Sequence, residues 1–112
     1  MSYSHRIADL QLAERLEAFG AVLIEGPKWC GKTTTAEQMS KSVIKMQDTE
    51  MQEEYAATAA SKPSLLLMGE TPRLIDEWQD APVLWDAVRT MVDKRQVPGQ
   101  FILTGSTVAI VR

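Results

Sequence analysis

The most restrictive feature of this sequence is an eight-residue segment, residues 26–33, that reads Gly-Pro-Lys-Trp-Cys-Gly-Lys-Thr. It has the pattern Gly-x-x-x-x-Gly-Lys-Thr, in which the two glycines let the backbone curl so that its N–H groups turn toward an anion. Such a loop needs a buried strand before it and a helix after it, because the positive end of the helix dipole also faces the anion. The segment therefore predicts a phosphate-binding loop within an α/β fold.

The residues of this loop have expected roles in binding a nucleoside triphosphate. The charge of Lys32 is expected to contact the β- and γ-phosphates, and the hydroxyl of Thr33 is expected to ligate Mg²⁺. Thr34 either contacts the α-phosphate or simply lies in the first turn of the helix. The residues that we expect to bind the nucleotide here are Gly26, Pro27, Lys28, Trp29, Cys30, Gly31, Lys32, Thr33 and Thr34.

The sequence on either side of the loop favours this interpretation over a chance match. Residues 21–24 form a continuous apolar run, typical of a strand that is buried on both faces of a parallel sheet. Residues 65–68 fit either a short buried helix or a strand. The predicted strands are residues 21–24, 43–46, 73–77 and 101–106, and the predicted helices are residues 7–19, 33–42, 49–61 and one that Asp80 caps. The alternation predicts an α/β fold with a parallel sheet of about four strands flanked by helices.

Polar side chains follow two of these predicted strands. Asp76 and Glu77 end the third strand, and Thr104 and Ser106 lie at the tip of the fourth. Ligands of open parallel sheets bind beyond the carboxyl ends of the strands, so these residues should meet the loop. Asp76 is expected to hold Mg²⁺, and Glu77 to polarise the water that attacks the γ-phosphate. Thr104 or Ser106 would hydrogen-bond that water or a γ-phosphate oxygen; the alternative is that these are ordinary polar residues at strand ends.

Composition restricts the partners and the location. The chain has 112 residues, a net charge of −3 and a single cysteine, Cys30. This length predicts one domain, and the negative charge argues against a broad surface for nucleic acid, a partner that nothing else in the sequence supports. A lone cysteine forms no internal disulfide, and no apolar run is long enough to cross a bilayer. We therefore expect a cytoplasmic protein with no membrane partner.

Three segments together resemble a known family. They are the loop at residues 26–33, Leu-Ile-Asp-Glu-Trp-Gln at residues 74–79 and Phe-Ile-Leu-Thr-Gly-Ser at residues 101–106. The combination is similar to the prokaryotic AAA-type ATPases of the AAA superfamily that carry a C-terminal domain of unknown function. In that family these stretches are a Walker A loop, a Walker B strand and a sensor strand of a P-loop NTPase.

The resemblance implies a role for each matching residue. Lys32 and Thr33 would bind phosphate and Mg²⁺, Asp76 would be the Walker B acid and Glu77 the catalytic base, with Thr104 or Ser106 as the sensor. It also implies that the nucleotide is ATP and that the strands of the sheet lie in the order 5-1-4-3-2.

The chain departs from that family in its length. It ends at Arg112, whereas family members continue through a fifth strand, a helical lid and the C-terminal domain. We therefore expect residues 1–112 to be a single, partial ATPase domain, an AAA-type core without the fifth strand and the lid. The first strand would then lie at an edge of the sheet, where either residues 108–111 or a second molecule would cover it. This arrangement predicts self-association.

Three functions remain open at this stage. The first is ATP binding with Mg²⁺-dependent hydrolysis. The second is a nucleotide-dependent switch or interaction module that does not hydrolyse, because without an arginine finger the transition-state charge is only partly compensated. The third, a small-molecule kinase, is weaker, because Glu77 suits activation of water better than transfer to a hydroxyl.

Overall fold

The centre of the molecule is a four-stranded sheet in which every pairing is parallel. The computed structural model describes residues 11–26 and 32–106. For residues 26, 32–34 and 106 it describes the backbone alone. The strands are β1 (Ala21–Gly26), β2 (Ser42–Lys45), β3 (Arg73–Asp76) and β4 (Phe101–Ser106). Their order across the sheet is β1-β4-β3-β2. This confirms the predicted fold class and agrees with the order 1-4-3-2 within the sheet that the resemblance implies.

Helices connect the strands and cover the sheet. The described α-helices are α1 (residues 11–18), α2 (Lys32–Met39), α3 (Gln52–Ser61) and α4 (Val83–Arg95). Two 3₁₀ helices, Pro63–Leu67 and Trp78–Asp80, lie in the connections before and after β3. Residues 65–68, which the sequence left open, are therefore mostly helical.

The two faces of the sheet carry two separate clusters of buried side chains. On β4, Phe101 and Leu103 pack with α4 and the first 3₁₀ helix, whereas Ile102 packs with α1 and α2. On β3, Ile75 joins the first cluster and Leu74 the second. This alternation follows from the two-residue period of a strand. It also tells which face of the sheet the later side chains of each strand lie on.

One local prediction was wrong. Asp80 does not cap the helix that follows it, because residues 78–80 form a 3₁₀ turn and α4 begins at Val83 after Pro82. In the first helix, Leu12 and Leu16 are the buried pair, whereas Phe19 is 59% exposed. Residues four apart share a helix face, and this is the face that α1 turns to the sheet. In the described parts of the chain, no helix combines the length and the apolar character that spanning a membrane requires.

Candidate nucleotide-binding site

The site lies where the strands end at their carboxyl edge. Asp76 of β3 pairs with Thr104 of β4, and Thr104 pairs in turn with Ile24 of β1. Two positions beyond this row, Gly26 at the end of β1 pairs with Ser106 at the end of β4. The strand from which the predicted phosphate loop leaves is therefore hydrogen-bonded to the strand whose tip carries the predicted sensor.

Asp76 and Thr104 are joined directly. The hydroxyl of Thr104, which is completely buried, donates a hydrogen bond of 2.5 Å to Oδ1 of Asp76. Asp76 lies two residues after Leu74, and Thr104 lies two residues after Ile102. Because residues two apart in a strand share a face, both lie on the sheet face that α1 and α2 cover. This is the face toward which α2 starts, immediately after the predicted loop. The hydrogen bond orients the Asp76 carboxylate there.

Glu77 has an unusual backbone. Its φ and ψ of 60° and 51° lie in the left-handed region, which residues with a Cβ seldom occupy. The chain turns sharply at this residue into the 3₁₀ helix Trp78–Asp80. As a result the Glu77 side chain stays at the strand end, 5% exposed, and its Oε1 accepts a hydrogen bond of 2.6 Å from Nε2 of Gln79.

Two polar atoms beside Glu77 lack a hydrogen-bond partner among the residues that the structure describes. They are Nε1 of Trp78 and Oε1 of Gln79, and both are buried. They converge on the tip of β4, since a Cβ at Gly105 would lie 3.0 Å from Oε1 of Gln79 and 3.1 Å from Nε1 of Trp78. Buried polar atoms are nearly always paired, so this pair marks the strand tip as a place suited to a polar ligand.

The donor chemistry of the strand end suits Mg²⁺. This cation binds through one or two carboxylates and otherwise keeps water and phosphate oxygens, so it does not need a cage of protein ligands. Asp76 supplies such a carboxylate at the edge of the sheet, and Thr33 lies in the first turn of α2. Within the described part of the chain, no cluster of three or more His, Cys, Asp or Glu offers a different metal site.

The structure brings some of the predicted site residues together and leaves others undescribed. Asp76, Glu77 and Thr104 meet at one strand end, Lys32 is the first residue of α2, and the backbones of Gly26 and Ser106 pair. The predicted loop residues Pro27, Lys28, Trp29, Cys30 and Gly31 lie outside the described residues, as do residues 108–111 of the predicted edge cover.

Sequence reasoning missed three features of the site. Gln79 and Trp78 were recognised only as parts of a motif, without a role at the site; Trp78 packs against Trp85 at 5.1 Å between ring centroids. Gly105 was also passed over. The available signal was a glutamine two residues after Glu77 and a glycine directly after Thr104. The contact between Gln79 and Gly105 depends on the turn at Glu77.

The fold and this strand end define a phosphate-loop type of α/β nucleotide-binding domain. The family model described as an AAA domain matches residues 18–112, and the chain belongs to that family. AAA domains are nucleotide-binding domains of the ATPase type, so the predicted class of function, an ATPase-type nucleotide-binding domain, is confirmed.

Among curated proteins, the chain is similar to two uncharacterized proteins, one from Mycobacterium tuberculosis and one from Mycobacterium bovis. Each is 32% identical over 107 residues, which is 95% of this chain and 24% of the relative. The chain thus spans about a quarter of the length of the curated relatives it matches. No solved structure matches the chain.

Proposed function

We propose that this chain binds ATP with Mg²⁺ and hydrolyses it. The observation that carries the proposal is the meeting of Asp76, Thr104 and Glu77 at the end of two strands, next to the strand that leads into the phosphate loop. The membership in the AAA domain family supports a nucleotide as the ligand. Residues 1–112 would act as one domain in this role, and self-association and a cytoplasmic location stay predictions.

Binding would rest on residues at the loop and at the start of α2. The backbone N–H groups of residues 26–34 would surround the phosphates, and the ammonium group of Lys32 would contact the β- and γ-phosphates. Thr33 and Asp76 would hold Mg²⁺, and the ion would supply positive charge that offsets the charge of the phosphates. Thr104 would keep the Asp76 carboxylate oriented through their hydrogen bond.

Hydrolysis would rest on Glu77. A carboxylate at this strand end can accept a proton from the water that attacks the γ-phosphate, which is the step that a general base accelerates. Because Glu77 is 5% exposed, bulk water does not compete for its oxygens. Thr104 or Ser106 would report the state of the γ-phosphate from the tip of β4.

One observation favours the second candidate, a switch that binds nucleotide without turnover. The Glu77 carboxylate is already engaged by Nε2 of Gln79, at 2.6 Å. If that bond persists when nucleotide is bound, the carboxylate has less capacity to take a proton. The two candidates share the binding step and differ in whether phosphate is released.

The first test is a calorimetric titration of the purified chain with Mg-ATP. We expect Lys32→Ala to weaken binding by about 10- to 100-fold, because it removes charge-assisted hydrogen bonds to phosphate. The matched control is Lys94→Ala, which removes the same charge from the exposed surface of α4. Equal affinity of the wild type and Lys32→Ala would contradict the proposed phosphate site.

The second test separates hydrolysis from switching. In single-turnover assays Glu77→Gln should reduce the rate of phosphate release by about 100- to 10,000-fold while binding persists, as loss of a general base predicts. Glu53→Gln, the same substitution at an exposed position of α3, is the control. Tight binding by a wild type that shows no turnover would favour the switch.

A further inference from the structure

We propose that Gln79 is a positioning residue for the Glu77 carboxylate, held between that carboxylate and the glycine at the tip of β4. The inference rests on the proposed function, because it assigns Gln79 to the same hydrolysis step. It also explains why the side chain of the half-buried Gln79 donates to Glu77 while its buried amide oxygen has no partner within the described residues.

The orientation of the Gln79 amide follows from the chemistry of its neighbour. An ionised carboxylate only accepts hydrogen bonds, so the amide must turn its N–H₂ group, and not its oxygen, toward Oε1 of Glu77. The separation of 2.6 Å between Nε2 and Oε1 is typical of a short, charge-assisted bond. The opposite orientation would place two oxygens against each other at the same distance.

This orientation determines where the amide oxygen goes. Oε1 of Gln79 is directed to the tip of β4. Nε1 of Trp78, a donor that is also buried and unpaired among the described residues, lies at the same tip. The strand tip therefore has one buried acceptor and one buried donor that apolar side chains at the same positions would not place there. Such unpaired groups are unfavourable for folding and call for a functional explanation.

Gly105 makes room for this arrangement. A Cβ there would come within 3.0 Å of Oε1 of Gln79, closer than nearly all such contacts, so any larger residue would push the amide away. Gly105 immediately precedes Ser106, which pairs with Gly26 at the start of the predicted phosphate loop. The amide is thus confined between the proposed base and the strand tip that borders the loop.

Backbone geometry makes this confinement depend on one residue. Side chains two apart in a strand lie on the same face about 7 Å apart, whereas residues 77 and 79 meet because Glu77 is in the left-handed region and begins a 3₁₀ turn. A glutamine reaching back over that turn restricts the rotamers of Glu77. Misplacement of a catalytic group by 1 Å lowers rates by about 100-fold, so such restriction has a large effect.

The test is a set of single-turnover rates and calorimetric affinities for Mg-ATP. Gln79→Met keeps the shape of the side chain and removes both polar groups, so we expect the hydrolysis rate to fall by about 10- to 100-fold with affinity changed by less than about threefold. Gln100→Met is the matched control, because Gln100 is a glutamine, 6% exposed, that lies next to the opposite end of β4. It should change neither quantity by more than about threefold.

Two further variants separate positioning from folding. Gly105→Ala leaves Gln79 and Glu77 chemically intact but displaces the amide of Gln79. It should lower the hydrolysis rate by a smaller factor than Gln79→Met does. If Gln79 acts through Glu77, then Glu77→Gln combined with Gln79→Met should be no slower than Glu77→Gln alone, because groups that act as a unit are not additive. Thermal unfolding of each variant establishes that it is folded at the assay temperature.

The rates and affinities of these variants distinguish a failure of the role of Gln79 from a failure of the proposed hydrolysis. Wild-type turnover with an unchanged rate in Gln79→Met, or additive losses in the double variant, would contradict this inference and leave the proposed function standing. A wild type that binds Mg-ATP without any turnover would contradict the proposed hydrolysis and this inference together. A rate loss in Gln79→Met and Gly105→Ala but not in Gln100→Met, together with a double variant no slower than Glu77→Gln alone, would support it.

Discussion

The two ends of the same strands treat polar groups in opposite ways. At the amino edge, Nε of Arg73 donates to the carbonyl oxygen of Leu66 at 2.8 Å, and Nη1 donates to the hydroxyl of Ser42 at 3.2 Å. Ser42 in turn donates to the carbonyl oxygen of Glu70 at 2.5 Å. On the neighbouring strand, Arg95 donates to the amide oxygen of Gln100 at 2.7 Å.

At the carboxyl edge, carboxylates and buried polar atoms without described partners take the place of these paired groups. Asp76 and Glu77 lie together, the latter in the left-handed region, and the buried side-chain atoms without hydrogen-bond partners in the described structure are Nε1 of Trp78 and Oε1 of Gln79. Polar groups that pair with each other hold a structure together, whereas buried polar groups without partners call for an explanation such as a bound ligand. The amino edge therefore stabilises the fold, and the carboxyl edge is where we expect a ligand.

Arg73 shows what burial does at the structural edge. Burial lowers the pKa of Arg73, and the interaction with Tyr55 opposes this effect. The lowered pKa means that the folded state holds the proton less tightly than the unfolded chain, so stability would rise with pH only in a strongly alkaline range. At ordinary pH the guanidinium stays charged, and its neutral hydrogen-bond acceptors offset part of its desolvation.

The largest effect that the comparison predicts is on stability at the amino edge. Arg73→Ala removes the hydrogen bonds to Leu66 and Ser42, and it should lower the free energy of unfolding by about 1–3 kcal/mol. Denaturant unfolding measures this change. The affinity for Mg-ATP should remain within about threefold, because no ligand is expected at this edge.

The control for Arg73 is Arg89→Ala. Arg89 pairs with Asp86 at 3.5 Å on an exposed face of α4, and such pairs contribute about 0–1 kcal/mol. A loss of nucleotide affinity in folded Arg73→Ala that Arg89→Ala does not share would break the division between the two edges.

A smaller effect on stability, with an effect on binding, is expected at the carboxyl edge. Thr104→Val keeps the shape of a completely buried side chain and removes the hydrogen bond to Asp76, so it should lower the free energy of unfolding by about 1 kcal/mol. It should also raise the Mg²⁺ concentration needed for half-maximal ATP binding, because the Asp76 carboxylate is less well oriented. Thr90→Val on the exposed surface of α4 is the control, and an unchanged Mg²⁺ dependence would remove Thr104 from the site.

Much of the fold could be predicted from the sequence because the signals are local. The run at residues 101–106 coincides with β4, and the apolar run at residues 21–24 lies within β1. Buried parallel strands are continuous apolar runs, so their existence does not depend on distant residues. The meeting of Asp76 and Thr104 also follows once the strands are parallel and their carboxyl ends share an edge.

The remaining part of the site could not be predicted, because it depends on one backbone conformation. The sequence indicated a strand through Glu77 and a helix capped by Asp80, whereas the chain turns at Glu77 and residues 78–80 form a 3₁₀ helix. Glutamic acid has no preference for the left-handed region, so its φ of 60° is imposed by the surrounding structure. The contact between Glu77 and Gln79 exists only after that turn has formed.

The smallest predicted effect isolates this turn. Two described residues other than glycine have positive φ, Glu77 at 60° and Gln96 at 57°, and the second ends α4 at an exposed position. Gln96→Gly should raise the free energy of unfolding by about 0.5–1 kcal/mol, because glycine tolerates this conformation although it also loses more freedom on folding. Hydrolysis of ATP should not change, since Gln96 lies at the amino edge beside the turn into β4.

Glu77→Gly relieves the same backbone strain but removes the acceptor for Nε2 of Gln79. Its stability gain should therefore be smaller than that of Gln96→Gly, and it should abolish hydrolysis because it removes the proposed base. The difference between the two unfolding free energies, measured by denaturant titration, compares the buried carboxylate of Glu77 and its bond to Gln79 with the exposed hydrogen bond that Nε2 of Gln96 donates to the carbonyl oxygen of Asp93. If Glu77→Gly is the more stabilised of the two, then the buried carboxylate is unfavourable by more than its bond to Gln79 returns, and the carboxyl edge holds Glu77 at the expense of stability, as a site kept for chemistry would.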